Sequence, residues 1–295
     1  TYLNEIFRVQ PKHYLIYKNN SISTHKYKFS KILFSTNYSD DVTSKFKRYF
    51  YHSVTGLAKK GKKIGVMMSG GLDSSAITIA LKENHYVDVF TYSNNFHHVD
   101  DDKYIHETKY QQNISKLTSY MHTPIPMEGK SPIIPIKKFT RLLNEPFNTP
   151  NIYLFEEIAN QLKRDDVSII LDGNDGDSTV SHGFEVLFFY LTNLKLIKFT
   201  KEVYLYSKLK KTSFLRLMLV LLREAAKEIL CIRDKKNRYS ILKKDVMLMS
   251  DAKNNISYFS SHEQKISDDV HYLANEFRNN FFRYFGIENF SPFYD

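Results

Sequence analysis

Thiol chemistry is almost missing from the 295 residues, which contain one cysteine, Cys231. A lone thiol cannot close a disulfide within the chain, and no Cys/His pair has zinc-site spacing. Neither a disulfide scaffold nor a thiolate metal site is available, and a reducing, cytoplasmic setting is expected. Long apolar runs are lacking as well. The longest, at 186–191 and 217–222, fall far short of the ~20 residues that a transmembrane helix needs, so the chain is expected to be soluble, with no membrane partner. The first residues, Thr1-Tyr2-Leu3-Asn4-Glu5, carry no initiator Met and no charged-then-apolar leader, and are expected to begin within a longer protein.

Acidic residues are in deficit: 32 Asp+Glu against 42 Lys+Arg leave a formal charge of +10. Positive potential attracts polyanions, nucleotides or nucleic acids. A dispersed Lys-rich surface has the same arithmetic, and the runs at Lys59-Lys60-Gly61-Lys62-Lys63 and Lys208-Leu209-Lys210-Lys211 form no continuous stripe. Charge alone therefore does not decide function. A hydrophobic content of 42% with 25% charged residues excludes a mainly disordered chain. The length is enough for about two domains with a substantial core.

The chain alternates strand and helix signals. Tyr14, Ile16, Ile22 and Thr24 alternate with polar residues around Asn19-Asn20, the pattern of a β-hairpin over 13–29. Such a hairpin is marginal alone and is expected to pack on something larger. Helical spacing follows over 40–60. Three apolar runs, Ile64–Met68, Val87–Tyr92 and Val167–Leu171, read as strands, with helices predicted across 76–81, 104–117 and 153–162. This alternation predicts a doubly wound parallel α/β sheet, because parallel strands need long crossovers. From about Glu185 to Phe285 the apolar periodicity predicts a helical C-terminal extension. The aromatic stretch 277–284 reads as helix core.

Between the first buried strand and its helix lies Ser69-Gly70-Gly71-Leu72-Asp73-Ser74-Ser75. Two adjacent glycines permit positive φ, so that successive backbone N–H groups can converge on one anion. The helix that follows adds its own unpaired N–H groups and the positive end of its dipole. Ser69, Ser74 and Ser75 bring hydroxyl donors. The spacing is neither the Walker A pattern nor the dinucleotide Gly-x-Gly-x-x-Gly. A carboxylate in a phosphate cradle needs a bridging cation, so Asp73 implies Mg²⁺. Asp177 ends a second Gly-rich loop after the third strand, at the edge where open α/β sheets bind ligands.

The string Ser-Gly-Gly-Leu-Asp-Ser-Ser resembles the loop of the PP-loop ATP pyrophosphatases (adenine nucleotide alpha hydrolase-like) and, within them, of the asparagine synthetase family. The likeness spans nearly the whole chain. Val9-Gln10-Pro11-Lys12-His13-Tyr14-Leu15 looks like the family's Leu-Pro-Pro-Gly-His-Tyr-Leu, which closes its glutaminase domain. Asp100-Asp101-Asp102-Lys103-Tyr104 is similar to Asp-Glu-Ser-x-Tyr, and Asn144-Glu145-Pro146 to Asp-Glu-Pro. Leu171-Asp172-Gly173-Asn174-Asp175-Gly176-Asp177-Ser178 corresponds to Leu-Ser-Gly-x-Gly-Gly-Asp-Glu. The end, Gly286-Ile287-Glu288 through Pro292-Phe293-Tyr294-Asp295, looks like Gly-Ile-Glu and Pro-Phe-Leu-Asp.

The resemblance implies a glutaminase remnant over 1–35 and an ATP-binding synthetase domain over 36–295, incomplete at its C-terminus. It places Met68, Tyr92, Asp172 and Gly173 on ATP together with the loop 69–75, and Asp73 and Asp177 on Mg²⁺. Asn174 stands at the position of a catalytic Glu, Asp175 at that of a Gly, and Ser178 at that of a second Glu. The reaction implied is adenylation of a carboxylate, aspartate in the family, with release of pyrophosphate. Ammonia from a glutaminase domain missing here then displaces AMP. An asparagine-synthetase-like cyclase closing an amide in a precursor peptide or β-lactam is the alternative, and a non-catalytic nucleotide-binding relative is another. A homodimer is a further expectation; a nucleic-acid partner is not expected. His97 and His98 beside 100–102 read as a solvated loop, His182 as either an acid/base or a capping group, and Cys231 as core.

Overall fold

The alternating residues 13–26 do form a hairpin in the computed structural model, which describes residues 5, 7, 9, 13–27, 40–96, 102–143, 151–180, 185–229 and 269–294. Strand β1 (His13–Lys18) pairs antiparallel with β2 (Ser21–Lys26), with Lys18 opposite Ser21. Asn19 and Asn20 have φ of 51° and 59°, the left-handed pair that a two-residue turn requires and that asparagine tolerates. Tyr14 stacks on His25 across the strands with ring centroids 5.3 Å apart.

Helix α1 (Asp40–Leu57) leads into β3 (Ile64–Met67), α2 (Leu72–Glu83), β4 (Val89–Asn95), α3 (Asp102–Thr118) and β5 (Met121–Pro126). After α4 (Ile136–Leu143) and α5 (Ile152–Arg164) come β6 (Ile169–Leu171) and the one-turn helix α6 (Gly176–Thr179). The strand order is β5-β4-β3-β6-β7, with β7 (Glu288–Phe290) last, and each neighbouring pair is parallel. The chain thus runs outward from β3 to β5, then crosses back to the other side of β3. The carboxyl ends of β3 and β6 flank that reversal, where a crevice is expected.

Period-two alternation divides the apolar residues between the two faces of the sheet. Ile64, Val66, Ile169 and Leu171 pack with Phe50, Val54, Ile77 and Leu81 of α1 and α2. Tyr92 and Ile170 pack with Phe139, Ile158, Leu162 and, from helix α10 (Asp269–Tyr284), Phe281 and Phe282. Gly65 makes the second face possible. A Cβ there would lie 2.7 Å from Leu162 Cδ2 and 3.3 Å from the Tyr92 ring. The last turn, Pro292–Tyr294, is secured to α1 by a Ser53 Oγ donation to Pro292 O at 2.8 Å and by stacking of Phe293 on Phe50.

Residues 1–180 and 266–295 form one compact unit and 181–265 a second. In the second unit α7 (Glu185–Thr192), α8 (Leu196–Leu209) and α9 (Phe214–Ile229) enclose Leu187, Phe188, Phe199, Val203, Leu221 and Ala225. The helical reading of the tail holds over 185–229 and 269–284; Cys231 lies outside the described residues, as do His97, His98, His182 and the 144–146 segment. Among the described residues, no helix is long and apolar enough to cross a membrane.

A candidate phosphate-binding site at the carboxyl edge of the sheet

Strand β3 delivers the chain to the loop through Met68, whose N–H donates to Tyr92 O at 2.7 Å and whose side chain is buried. Gly70 then turns with φ of 83°, and Gly71 is extended (φ −73°, ψ 171°) as the residue before α2. No side chain caps α2, so its first N–H groups lack a side-chain acceptor and have the helix dipole behind them. The serines shape the loop. Ser69 Oγ accepts from Gly71 N–H at 3.2 Å and lies 3.1 Å from Ser74 Oγ, which in turn accepts from Ser69 N–H at 3.3 Å. Ser74 is buried; Ser75 is half-buried and donates its N–H to Gly71 O; the Leu72 side chain points to solvent, 90% exposed.

The second loop closes against the first. Past β6, Asp172 Oδ1 accepts from Asn174 N–H at 3.1 Å and from Ser291 Oγ at 2.7 Å. Its Oδ2 is buried without a partner. Asp175 has φ of 63°, which explains the glycine of the family motif at this position; aspartate is among the few other residues that adopt it. Asn275 of α10 donates to Asp175 Oδ2 at 3.4 Å. Two glycines then let the loops touch. A Cβ on Gly173 would come 2.8 Å from Ser74 N and 3.1 Å from Asp73 Cβ, and one on Gly176 2.5 Å and 2.6 Å from the Asp73 carboxylate oxygens.

That contact decides the electrostatics. Burial, and then the neighbouring Asp177, push the Asp73 carboxyl above its ordinary range. Two carboxylates from two loops are thus brought together, and neither forms an ion pair with a described cation. The described residues contain no cluster of three or more His, Cys, Asp or Glu able to hold a metal ion by themselves. A pair of carboxylates fits Mg²⁺, which takes one or two carboxylates and completes its shell with phosphate oxygens and water.

The structure brings Ser69, Gly70, Gly71, Asp73, Ser74, Gly173 and Asp177 together, with Asn174 and Asp172 in the adjoining turn. The Tyr92 side chain does not join them. It is fully buried in the core beside Gly65, and its hydroxyl donates to Asp165 Oδ2 at 2.9 Å. Asp165 precedes β6, at the opposite edge of the sheet, so the ring points away from the loops. Three residues that no motif marks also belong to the site's surroundings: Gln111, Ser93 and His122, which join one another and the Ser69 carbonyl.

A parallel α/β sheet with a Gly-Gly turn after its first strand and an aspartate in the first turn of the following helix is the arrangement that the PP-loop resemblance implies. Residues 45–263 match the asparagine synthase family model, and the chain belongs to that family. A search of curated proteins finds no match. Among solved structures the chain is similar to the U34-tRNA thiolase NcsA from Methanococcus maripaludis with its [4Fe-4S] cluster, at 12% identity over 84% of this chain and 80% of that one, with a TM-score of 0.37.

Proposed function

We propose that the chain is an ATP-dependent amide-forming ligase. A carboxylate substrate, aspartate as in asparagine synthesis, attacks the α-phosphorus of ATP. Pyrophosphate leaves, and a nitrogen nucleophile then displaces AMP from the acyl-adenylate. The observation that carries this reading is the meeting of Asp73 with the Gly173–Asp177 loop beside the uncapped start of α2. The Gly70 N–H and the first N–H groups of α2 bind the β- and γ-phosphates and stabilise charge on the departing pyrophosphate. Asp73 and Asp177 would hold Mg²⁺, which when bound neutralises charge on those phosphates. Gly173 and Gly176 keep the two loops close enough for both carboxylates to serve one ion.

Ammonia supplied by a glutaminase domain is the nitrogen source this reading favours. Asn174 and Ser178, where the family motif has glutamates, favour a second acceptor class, an amine within a peptide or β-lactam precursor. Either substrate leaves the adenylation half unchanged, so pyrophosphate release is the test. Asp73→Asn and Asp177→Asn are each expected to abolish substrate-dependent pyrophosphate release; near-normal release in either variant would remove that residue from the site.

A further inference from the structure

Gly70 is the more closely packed of the two glycines in the first loop. A Cβ there would stand 2.8 Å from Glu107 O and 3.2 Å from Tyr110 Cβ, so α3 lies directly against the loop. Next along α3, Gln111 is buried, 7% exposed, and its Nε2 donates to Ser69 O at 3.3 Å. Gln111 Oε1 accepts from Ser93 Oγ at 3.3 Å. Ser93 Oγ lies 3.2 Å from His122 Nε2, and His122 Nδ1 lies 2.9 Å from Thr91 Oγ1. Four side chains from β4, α3 and β5 thus form one hydrogen-bonded line that ends on a loop carbonyl.

The line has a direction. The Ser69 carbonyl can only accept, so the Gln111 NH₂ faces the loop and its Oε1 is left to accept from the Ser93 hydroxyl. At the far end of the line Thr91 Oγ1 also donates to Met121 O at 3.3 Å, and burial holds His122 below the usual histidine range. The amide of Gln111 is therefore fixed with its NH₂ toward the loop and cannot flip without breaking two bonds.

The peptide between Ser69 and Gly70 is planar and trans, so its C=O and N–H point in opposite directions. Drawing the carbonyl toward α3 turns the Gly70 N–H away from α3, toward the open side of the loop, and that N–H has no acceptor among the described residues. We propose that Gln111 is a positioning residue for the phosphate cradle: it withdraws the Ser69 carbonyl, which would repel an anion, and aims the Gly70 N–H at the bound phosphate. The assignment rests on the reading of the loop as an ATP phosphate site.

Calorimetric titration of the full chain with MgATP, magnesium pyrophosphate and adenosine tests it. Gln111→Met keeps the side chain's length and apolar stem but removes both bonds. It is expected to weaken MgATP and pyrophosphate binding about tenfold, the scale of one hydrogen bond to a charged group, and to leave adenosine binding unchanged. Ser93→Ala, which frees the amide without touching the loop, is expected to give a smaller loss in the same direction, and it carries the test if Gln111→Met does not fold. Undiminished MgATP binding in the folded variants would overturn the assignment, as would a parallel loss of adenosine, which marks a merely structural role. If the unaltered chain binds neither MgATP nor pyrophosphate, the cradle reading itself falls.

Discussion

The Asp73 carboxylate is pinned by a residue that has no side chain. Gly176 packs so close to both of its oxygens that a methyl group there must displace either the carboxylate or the backbone of the second loop. Gly176→Ala is expected to lower pyrophosphate release by about two orders of magnitude, the effect of a displacement of about 1 Å at a reacting centre. Overpacking should also cost about 1–3 kcal/mol in a urea titration. Wild-type turnover in the alanine variant would mean that this contact does not set the carboxylate. His122 offers a second residue-scale test, in pH. Burial lowers its pKa in the folded state below the reference value of 6.5, so at and just below that pH the unfolded chain binds more protons. The stability that the neutral imidazole contributes is complete above the unfolded pKa and falls away as pH drops toward the folded one. The thermal midpoint is expected to decline as pH falls below about 7, and His122→Asn to flatten that part of the curve. A slope unchanged by the substitution would contradict the assignment of a neutral, half-buried imidazole.

At the scale of elements, β7 holds the second loop from behind. Asp172 N–H donates to Phe290 O at 3.0 Å, Glu288 N–H donates to Ser168 O at 2.8 Å, and Ser291 reaches the Asp172 carboxylate. Ile287, 2% exposed, anchors the strand in the core with Phe281 and Phe282. Ile287→Ala is expected to cost about 3 kcal/mol in chemical denaturation; a cost under about 1 kcal/mol would mean that the site collapses around the gap. Neither β7 nor β5 was legible in the sequence. β7 is three residues long, and its one buried member is the polar Asn289. β5 carries Pro124 and Pro126 and buries only Ile125, so it lacks both the alternation and the β-branched run that mark a strand. β3, β4 and β6 were legible because they lie inside the sheet and read as apolar runs. The same contrast holds at the site. Asp73 and Asp177 stand out because glycines surround them, whereas a glutamine inside a helix carries no spacing signal, and the apolar run that located β4 does not say toward which edge the Tyr92 ring points.

At the scale of the molecule, one lysine run is separate from the candidate anion site. Lys59 pairs with Glu288 at 2.7 Å and Lys63 with Asp166 at 3.6 Å. Those partners lie at the amino ends of β7 and β6, across the sheet from the loops. The lysine run at 59–63 therefore lies at the edge of the sheet opposite the Gly-rich loops, and in the proposed reading phosphate recognition falls to backbone N–H groups and to carboxylates sharing a cation.

The prolines that hid β5 have a further consequence. Pro124 and Pro126 have no N–H to offer, and β5 is the outermost strand beyond β4, paired with it at Ser93↔Pro124 and Asn95↔Pro126. At the opposite margin stands the short β7. A five-stranded sheet so finished gives an incoming chain little to template on, which protects it from strand-by-strand aggregation.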